Sequence, residues 1–77
     1  MINSDQVKEN MEVMGSDGKH VGKVDRCEGN RIKLMKNDPA AQGQHHMLDV
    51  SDIERVEGNR LILGVTADDA KRRWQPA

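Results

Sequence analysis

Apolar and polar positions alternate in short stretches along much of this chain, and the clearest pattern occurs twice. VDRCEGNRIKL (residues 24–34) and IERVEGNRLIL (residues 53–63) share an arginine, the tetrad Glu-Gly-Asn-Arg and a terminal leucine. Elsewhere they mostly exchange one apolar residue for another. Gly29-Asn30 and Gly58-Asn59 accept the positive φ of a tight hairpin turn. A two-residue turn there sets Glu28 opposite Arg31 and Cys27 opposite Ile32; in the second copy Glu57 meets Arg60 and Val56 meets Leu61. Each turn is flanked by an opposite-charge pair and then an apolar pair, and such cross-strand pairs contribute about 0.2–1 kcal/mol each.

Strict alternation would put Asp25 on the face of Cys27 and Leu34, and Glu54 on the face of Val56 and Leu63. A carboxylate is costly on the buried face of so small a core. One extra residue before Cys27, and again before Val56, brings Val24 and Ile53 to the apolar side instead. The step from Val24 to Cys27 recurs from Ile53 to Val56, as a bulge present in both copies predicts. Bulges coil strands, so the repeat reads as two curved hairpins of one small barrel.

The other segments fit around these hairpins. MEVMGSDGKHVGKV (residues 11–24) offers Ser16-Asp17-Gly18 as a turn between two short strands, and Gly22 marks a bend or the close approach of another strand. KNDPAAQGQ (residues 36–44) is a loop, HHMLDV (45–50) a short strand, and Ser51-Asp52 turns the chain into the second hairpin. TADDAKRRW (66–74) predicts a helix: Thr66 as N-cap, Asp68 and Asp69 in the positive first turn, Lys71, Arg72 and Arg73 towards the negative end. Ala67, Ala70 and Trp74 share one helical face, with Trp74 as its anchor.

Composition then narrows the picture. Seventy-seven residues make one domain, residues 1–77, with the barrel over about 11–65 and the helix over about 67–74. A chain of this size buries only about 60% of its unfolded surface. There is no Phe or Tyr and one Trp, so the core is built from Val, Ile, Leu, Ala and five Met, or is completed by a partner. The single Cys27 excludes an intramolecular disulfide and suits a reducing compartment. MINSDQVKEN lacks the apolar region of a secretory signal, and no apolar run approaches the roughly 20 residues that span a bilayer. A cytoplasmic protein without membrane attachment is expected. Net charge is −1, from 12 basic and 13 acidic residues, which gives no global field for nucleic acid or anionic lipid.

Residues 14–18 (MGSDG) and 20–24 (HVGKV), followed by the first hairpin, resemble the opening of a PRC-barrel domain, the module of the photosynthetic reaction centre H subunit and of the carboxy-terminal part of the ribosome-maturation factor RimM. KNDPAAQGQHH and the terminal TADDAKRRW resemble, more narrowly, small bacterial proteins of unknown function that carry this domain alone. The resemblance covers about residues 5–74. It implies a strongly bent antiparallel barrel and docking onto proteins or larger assemblies, and it implies no reaction. Where those small proteins carry an aromatic residue and a proline after the paired histidines, this chain has Met47-Leu48-Asp49.

Candidate chemistry is sparse. His45, His46 and His20 are the candidate metal ligands, with Cys27 or Asp49 as possible helpers. Zinc needs three or four convergent ligands, and adjacent strand residues point to opposite faces, so the expectation is no metal and no cofactor. Cys27 aligns with Val56 and reads as a small core residue. Arg31, Lys33, Lys36 and Arg60 form a candidate basic patch near the turns. Sequence-tolerant RNA binding favours aromatic stacking platforms, and Arg31 and Arg60 face Glu28 and Glu57, so direct nucleic-acid binding is not expected. Met14 reads as core, and Met35 and Met47 as core or contact surface. With no catalytic constellation and little room for a pocket, no enzymatic activity and no small-molecule substrate are expected.

The sequence therefore predicts a mainly β protein: a small, bent antiparallel barrel of about six strands with a short carboxy-terminal helix. Its expected role is a non-catalytic interaction or assembly module that binds another protein or a second copy of itself, with Arg31, Lys33, Lys36, Arg60, Met35 and Met47 as contact candidates. An RNA-linked role in ribosome maturation and metal binding through His45 or His46 are the alternatives.

Overall fold

Both copies of the repeat fold as hairpins with the same irregularity in the same place. The computed structural model describes residues 4–76. Strands β1 (Glu12–Met14), β2 (His20–Glu28), β3 (Arg31–Leu34), β4 (His46–Asp49), β5 (Ile53–Glu57), β6 (Arg60–Leu63) and the two-residue β7 (Gln75–Pro76) are joined by helix α1 (Ala67–Arg73), which precedes β7, and by short 3-10 turns. In the first hairpin Glu28, Cys27 and Arg26 oppose Arg31, Ile32 and Lys33, and the register then slips so that Val24 opposes Leu34. In the second, Glu57, Val56 and Arg55 oppose Arg60, Leu61 and Ile62, and Ile53 opposes Leu63. Asp25 and Glu54 are the extra residues. Gly29 and Gly58 turn with φ of 60° and 58°, a region where a side chain is strained.

The equivalence reaches beyond the hairpins. The Met35 N–H donates to the Lys23 carbonyl and the Gly64 N–H to the Asp52 carbonyl, both at 2.9 Å. The Asn30 carbonyl accepts from the Val50 N–H at 2.8 Å, and the Asn59 carbonyl from the Glu12 N–H at 3.1 Å. Each hairpin turn thus accepts a bond from the neighbouring segment through the same atom.

The strands lie in the order β5-β6-β1-β2-β3-β4-β7. The nine-residue β2 pairs antiparallel with β1 along its first half and with β3 along its second. Irregularities fall at Val21 against β1 and at Asp25 against β3, so β2 bends where it passes from one partner to the other. The bend folds the sheet over a core of Val13, Val21, Val24, Ile32, Leu34, Leu61 and Leu63, which are at most 1% exposed. Gly22 lies here, where an added Cβ would come 3.3 Å from the Leu34 side chain.

Two expectations are corrected. The pairing is mixed, because β1 runs parallel to β6. Nor does the ladder close: β5 and β7 are its two ends and do not pair with each other, so the sheet is open where a barrel was expected. The chain leaves β4 through the 3-10 turn Val50–Asp52 and starts β5 at the far edge, while β7 takes the free edge of β4.

Helix α1 begins as its sequence dictates, with the Thr66 hydroxyl accepting the Asp69 N–H at 3.2 Å. Ala67 and Ala70 are buried. The Gly-Ser-Asp-Gly turn is its seat: the Ser16 N–H donates to the Val65 carbonyl at 2.7 Å, and the Asp17 carboxylate accepts the N–H groups of Lys19 and Ala67, both at 3.3 Å. Desolvation works to raise the Asp17 pKa, but these backbone donors and the Lys19 charge outweigh it, and the carboxyl titrates below its ordinary value. A Cβ on Gly15 would lie 2.2 Å from the Ala67 nitrogen, so only glycine lets the helix sit this close.

Phase along β1 sorts the methionines. Val13 points inward, so Met14 is only half-buried, contrary to expectation, and Met11 with Val7 packs the core from the amino-terminal side. Cys27 is likewise half-exposed where a core position was expected, as is its counterpart Val56; both rest against the rim of the core. Among the described residues no helix is long and apolar enough to cross a membrane.

Candidate interaction face

The three histidines lie in three different settings. His20, at the start of β2, sits between two carboxylates: Nδ1 is 3.1 Å from Glu12 Oε2 and Nε2 2.7 Å from Asp38 Oδ2. Arg60 Nε lies 3.3 Å from Glu12 Oε1, extending the series across β6, β1, β2 and the loop after β3. Asp38 is buried, and a buried carboxylate needs such a partner. His45 donates from Nδ1 to the Leu34 carbonyl at 2.9 Å and lies 3.8 Å from Asp25 Oδ2.

His46 faces the other way, as strand alternation requires. It is buried and stacked on Trp74, and its Nδ1 has no hydrogen-bond partner. Burial first, and the neighbouring His45 second, push its pKa below the ordinary imidazole value of 6.5. The proposed ligands therefore do not converge. Among the described residues, no group of three or more His, Cys, Asp or Glu side chains could hold a metal ion. The Cys27 thiol, with its pKa pushed up by burial, is poorly disposed to react as a thiolate.

Four of the six contact candidates do come together. Ile32 and Leu34 point into the core, so Arg31 and Lys33 emerge on the outer face of β3, and Met35 follows directly after the strand. On β4, His46 and Leu48 point inward and Met47 and Asp49 outward, with Met47 across from Lys33 and Asp49 across from Arg31. Met35 lies two residues beyond Lys33, the residue across from Met47, and both methionines are half-exposed. Lys36 borders a concavity beside Met35 with Asp25, Asn37 and His45. Arg60 does not join them: β6 is separated from β3 by β1 and β2, and its guanidinium is turned to Glu12.

The charges pair differently from the turn-flanking scheme, although the register is the one expected. Glu28 is bonded by Arg26 at 3.0 Å, and Glu57 by Arg55, because residues two apart on a strand share a face. The Glu57 hydrogen bond, and then its charge, raise the Arg55 pKa. Arg31 and Arg60 then turn outward to Asp49 and Glu12, at 3.8 and 3.3 Å. Beyond β4 a cleft opens between Arg31 and Arg73 over Met47, with Asp49, Asp52 and Gln75 along it. Arg73 lies 3.6 Å from Asp52. Neither this cleft nor the His20 series was visible in the sequence, since each draws on segments far apart in the chain.

Fold and face together define a small, mainly β module whose histidines serve packing and internal bonding. Residues 7–71 match the family model described as "Uncharacterized protein conserved in bacteria (DUF2171)", and the chain belongs to that family. No curated protein and no solved structure matches it.

Proposed function

We propose that the chain is a non-catalytic module that binds another protein through the outer face of β3 and β4. The observation that carries this reading is that Met47, across from Lys33, and Met35, two residues beyond Lys33, are both half-exposed in a molecule whose core is built from branched residues, alanine and Met11. Unbranched thioether side chains suit a surface that must repack against a partner. The sheet edges suit docking less well. β5 carries Glu54, Arg55 and Glu57 and a bulge, and β7 is two residues long and ends in proline, all features that discourage strand addition. Kinship with PRC-barrel modules and a cytoplasmic setting belong to the same reading, as does a barrel-like curl of the open sheet, which the bend of β2 between two ladders supports.

The test is an affinity pull-down from the source organism's lysate, split so that one half is treated with nuclease. Baits are the wild type, the double variant Met35→Asp/Met47→Asp, and Arg60→Ala as a control away from the face. A protein retained by wild type and Arg60→Ala, lost with the double variant and indifferent to nuclease, is the expected result. Retention by all three baits overturns the assignment of the face. Loss on nuclease treatment replaces it with the RNA-linked role. A melting temperature that rises with protein concentration over about a hundredfold range would instead make the partner a second copy.

A further inference from the structure

The chemistry of that partner can be taken further, on the assumption that the β3–β4 face is where it binds. The arginines around this face already have carboxylates: Arg26 with Glu28 at 3.0 Å, Arg31 with Asp49 at 3.8 Å, Arg73 with Asp52 at 3.6 Å. The lysines do not. Among the described residues neither Lys33 nor Lys36 makes an ion pair, whereas Arg31 and Arg73, which flank Met47, both do. Lys33 is half-buried directly across from Met47, and Lys36 borders the concavity beside Met35. Asp25, in the same concavity, offsets part of the Lys36 charge but is also shared with His45 at 3.8 Å. The methionine pair is therefore bordered by uncompensated positive charge.

We infer that the occupant is an acidic, amphipathic segment of a partner protein, with apolar side chains over Met35 and Met47 and carboxylates reaching Lys33 and Lys36. A lysine whose stem lies against the face, as the half-buried Lys33 does, holds its ammonium near the methionines, where a partner's carboxylate can make a charge-assisted hydrogen bond. Single-stranded nucleic acid offers the same charge, but its sequence-tolerant binders add ring platforms on which bases stack. The chain has no Phe or Tyr, and the Trp74 ring is taken up by His46.

The experiment titrates the isotopically labelled full-length protein with a soluble peptide of Leu-Glu-Glu repeats, its Leu-Lys-Lys counterpart and oligouridylate, following backbone amide resonances. The acidic peptide should move the amides of Lys33, Met35 and Met47, and Lys33→Glu/Lys36→Glu should weaken its binding by roughly tenfold while leaving the unfolding curve in place. Equal binding of both peptides overturns the inference, as do shifts confined to other strands or tighter binding of oligouridylate on the same amides. In the pull-down, a partner lost with Met35→Asp/Met47→Asp but kept by Lys33→Glu/Lys36→Glu would overturn the acidic partner and leave the face standing. A partner kept by both baits overturns the two together.

Discussion

The indole of Trp74 lies flat on the imidazole of His46, with ring centroids 3.9 Å apart and planes within 10° of parallel. His46 comes from the inner side of β4, and Trp74 is the first residue beyond α1. Their contact therefore fastens the end of the helix to the sheet and delivers Gln75 to its pairing with Met47. Ring stacking is worth about 0.5–1.5 kcal/mol beyond the area it buries. The ring is held with Nδ1 unpaired in the interior, and protonation there would add a charge with no partner.

That arrangement makes stability depend on pH. The His46 pKa is lowered on folding, so below its ordinary value of 6.5 the unfolded chain takes up the proton first. The contribution of His46 is complete above that value and is lost as pH falls from it through the folded pKa. His46→Phe keeps a ring for Trp74 and removes both the orphaned nitrogen and the titration. Thermal melts at about pH 7.5 and about pH 5.5 should show a smaller acid-induced drop for His46→Phe than for the wild type, and about 1 kcal/mol more stability at the higher pH. An unchanged drop would mean that His46 does not titrate within the stack.

Glycine positions separate packing from backbone strain. At Gly15 a methyl group would meet the Ala67 nitrogen at 2.2 Å, backbone that cannot swing aside, whereas at Gly18 nothing lies within 4 Å and only the φ of 80° resists substitution. Gly15→Ala should cost about 3 kcal/mol and loosen α1, and Gly18→Ala about 1 kcal/mol. Urea titrations of the two variants measure the difference. Equal losses would show that the turn does not seat the helix as closely as the structure has it.

How much could be read beforehand follows from how local each feature is. The hairpins and their bulges were legible because pairing across a two-residue turn is set by neighbours in sequence, and two copies made the misplaced Asp25 and Glu54 diagnostic. The Thr66 cap was legible for the same reason. The parallel β1–β6 pair and the edge place of β7 join segments far apart in the chain, and nothing in their composition specifies the partner. Met11 and Met14 could not be told apart without knowing the phase of β1 against β2. Of the contact candidates, Arg31, Lys33, Met35 and Met47 sit on one face because they alternate along adjacent strands, which is a local rule; excluding Arg60 took the strand order.

His20 ties the loop to the sheet through Asp38 while it holds Glu12 on β1. The His20 side chain is half-exposed but the Asp38 side chain is buried, so His20→Ala takes a partner from a buried carboxylate and should cost about 1–3 kcal/mol in global terms. The local effect should be larger. Hydrogen exchange in residues 36–44 should quicken while amides of β3 and β6 keep their protection, because local opening and global unfolding are separate events. Uniform acceleration across the sheet would instead make His20 a part of the core's cooperative unit.

The methionines give the most direct separation of fold from binding. Met11 is 3% exposed and lies in the core cluster, and Met35 and Met47 stand half-exposed on the outer face. Met11→Ala should cost about 2–4 kcal/mol, because it leaves a cavity that the amino-terminal segment can only partly close. Met35→Ala and Met47→Ala should cost about 1 kcal/mol or less, since water already reaches these side chains. If binding rests on this face, the order reverses when the measured quantity is partner affinity at a temperature where all variants are folded. Met47→Ala then weakens the complex and Met11→Ala leaves it intact. Denaturation midpoints together with calorimetric titration of each variant decide it. A large stability loss at Met47 would mean that its side chain serves the core, and that the face owes its methionines to packing.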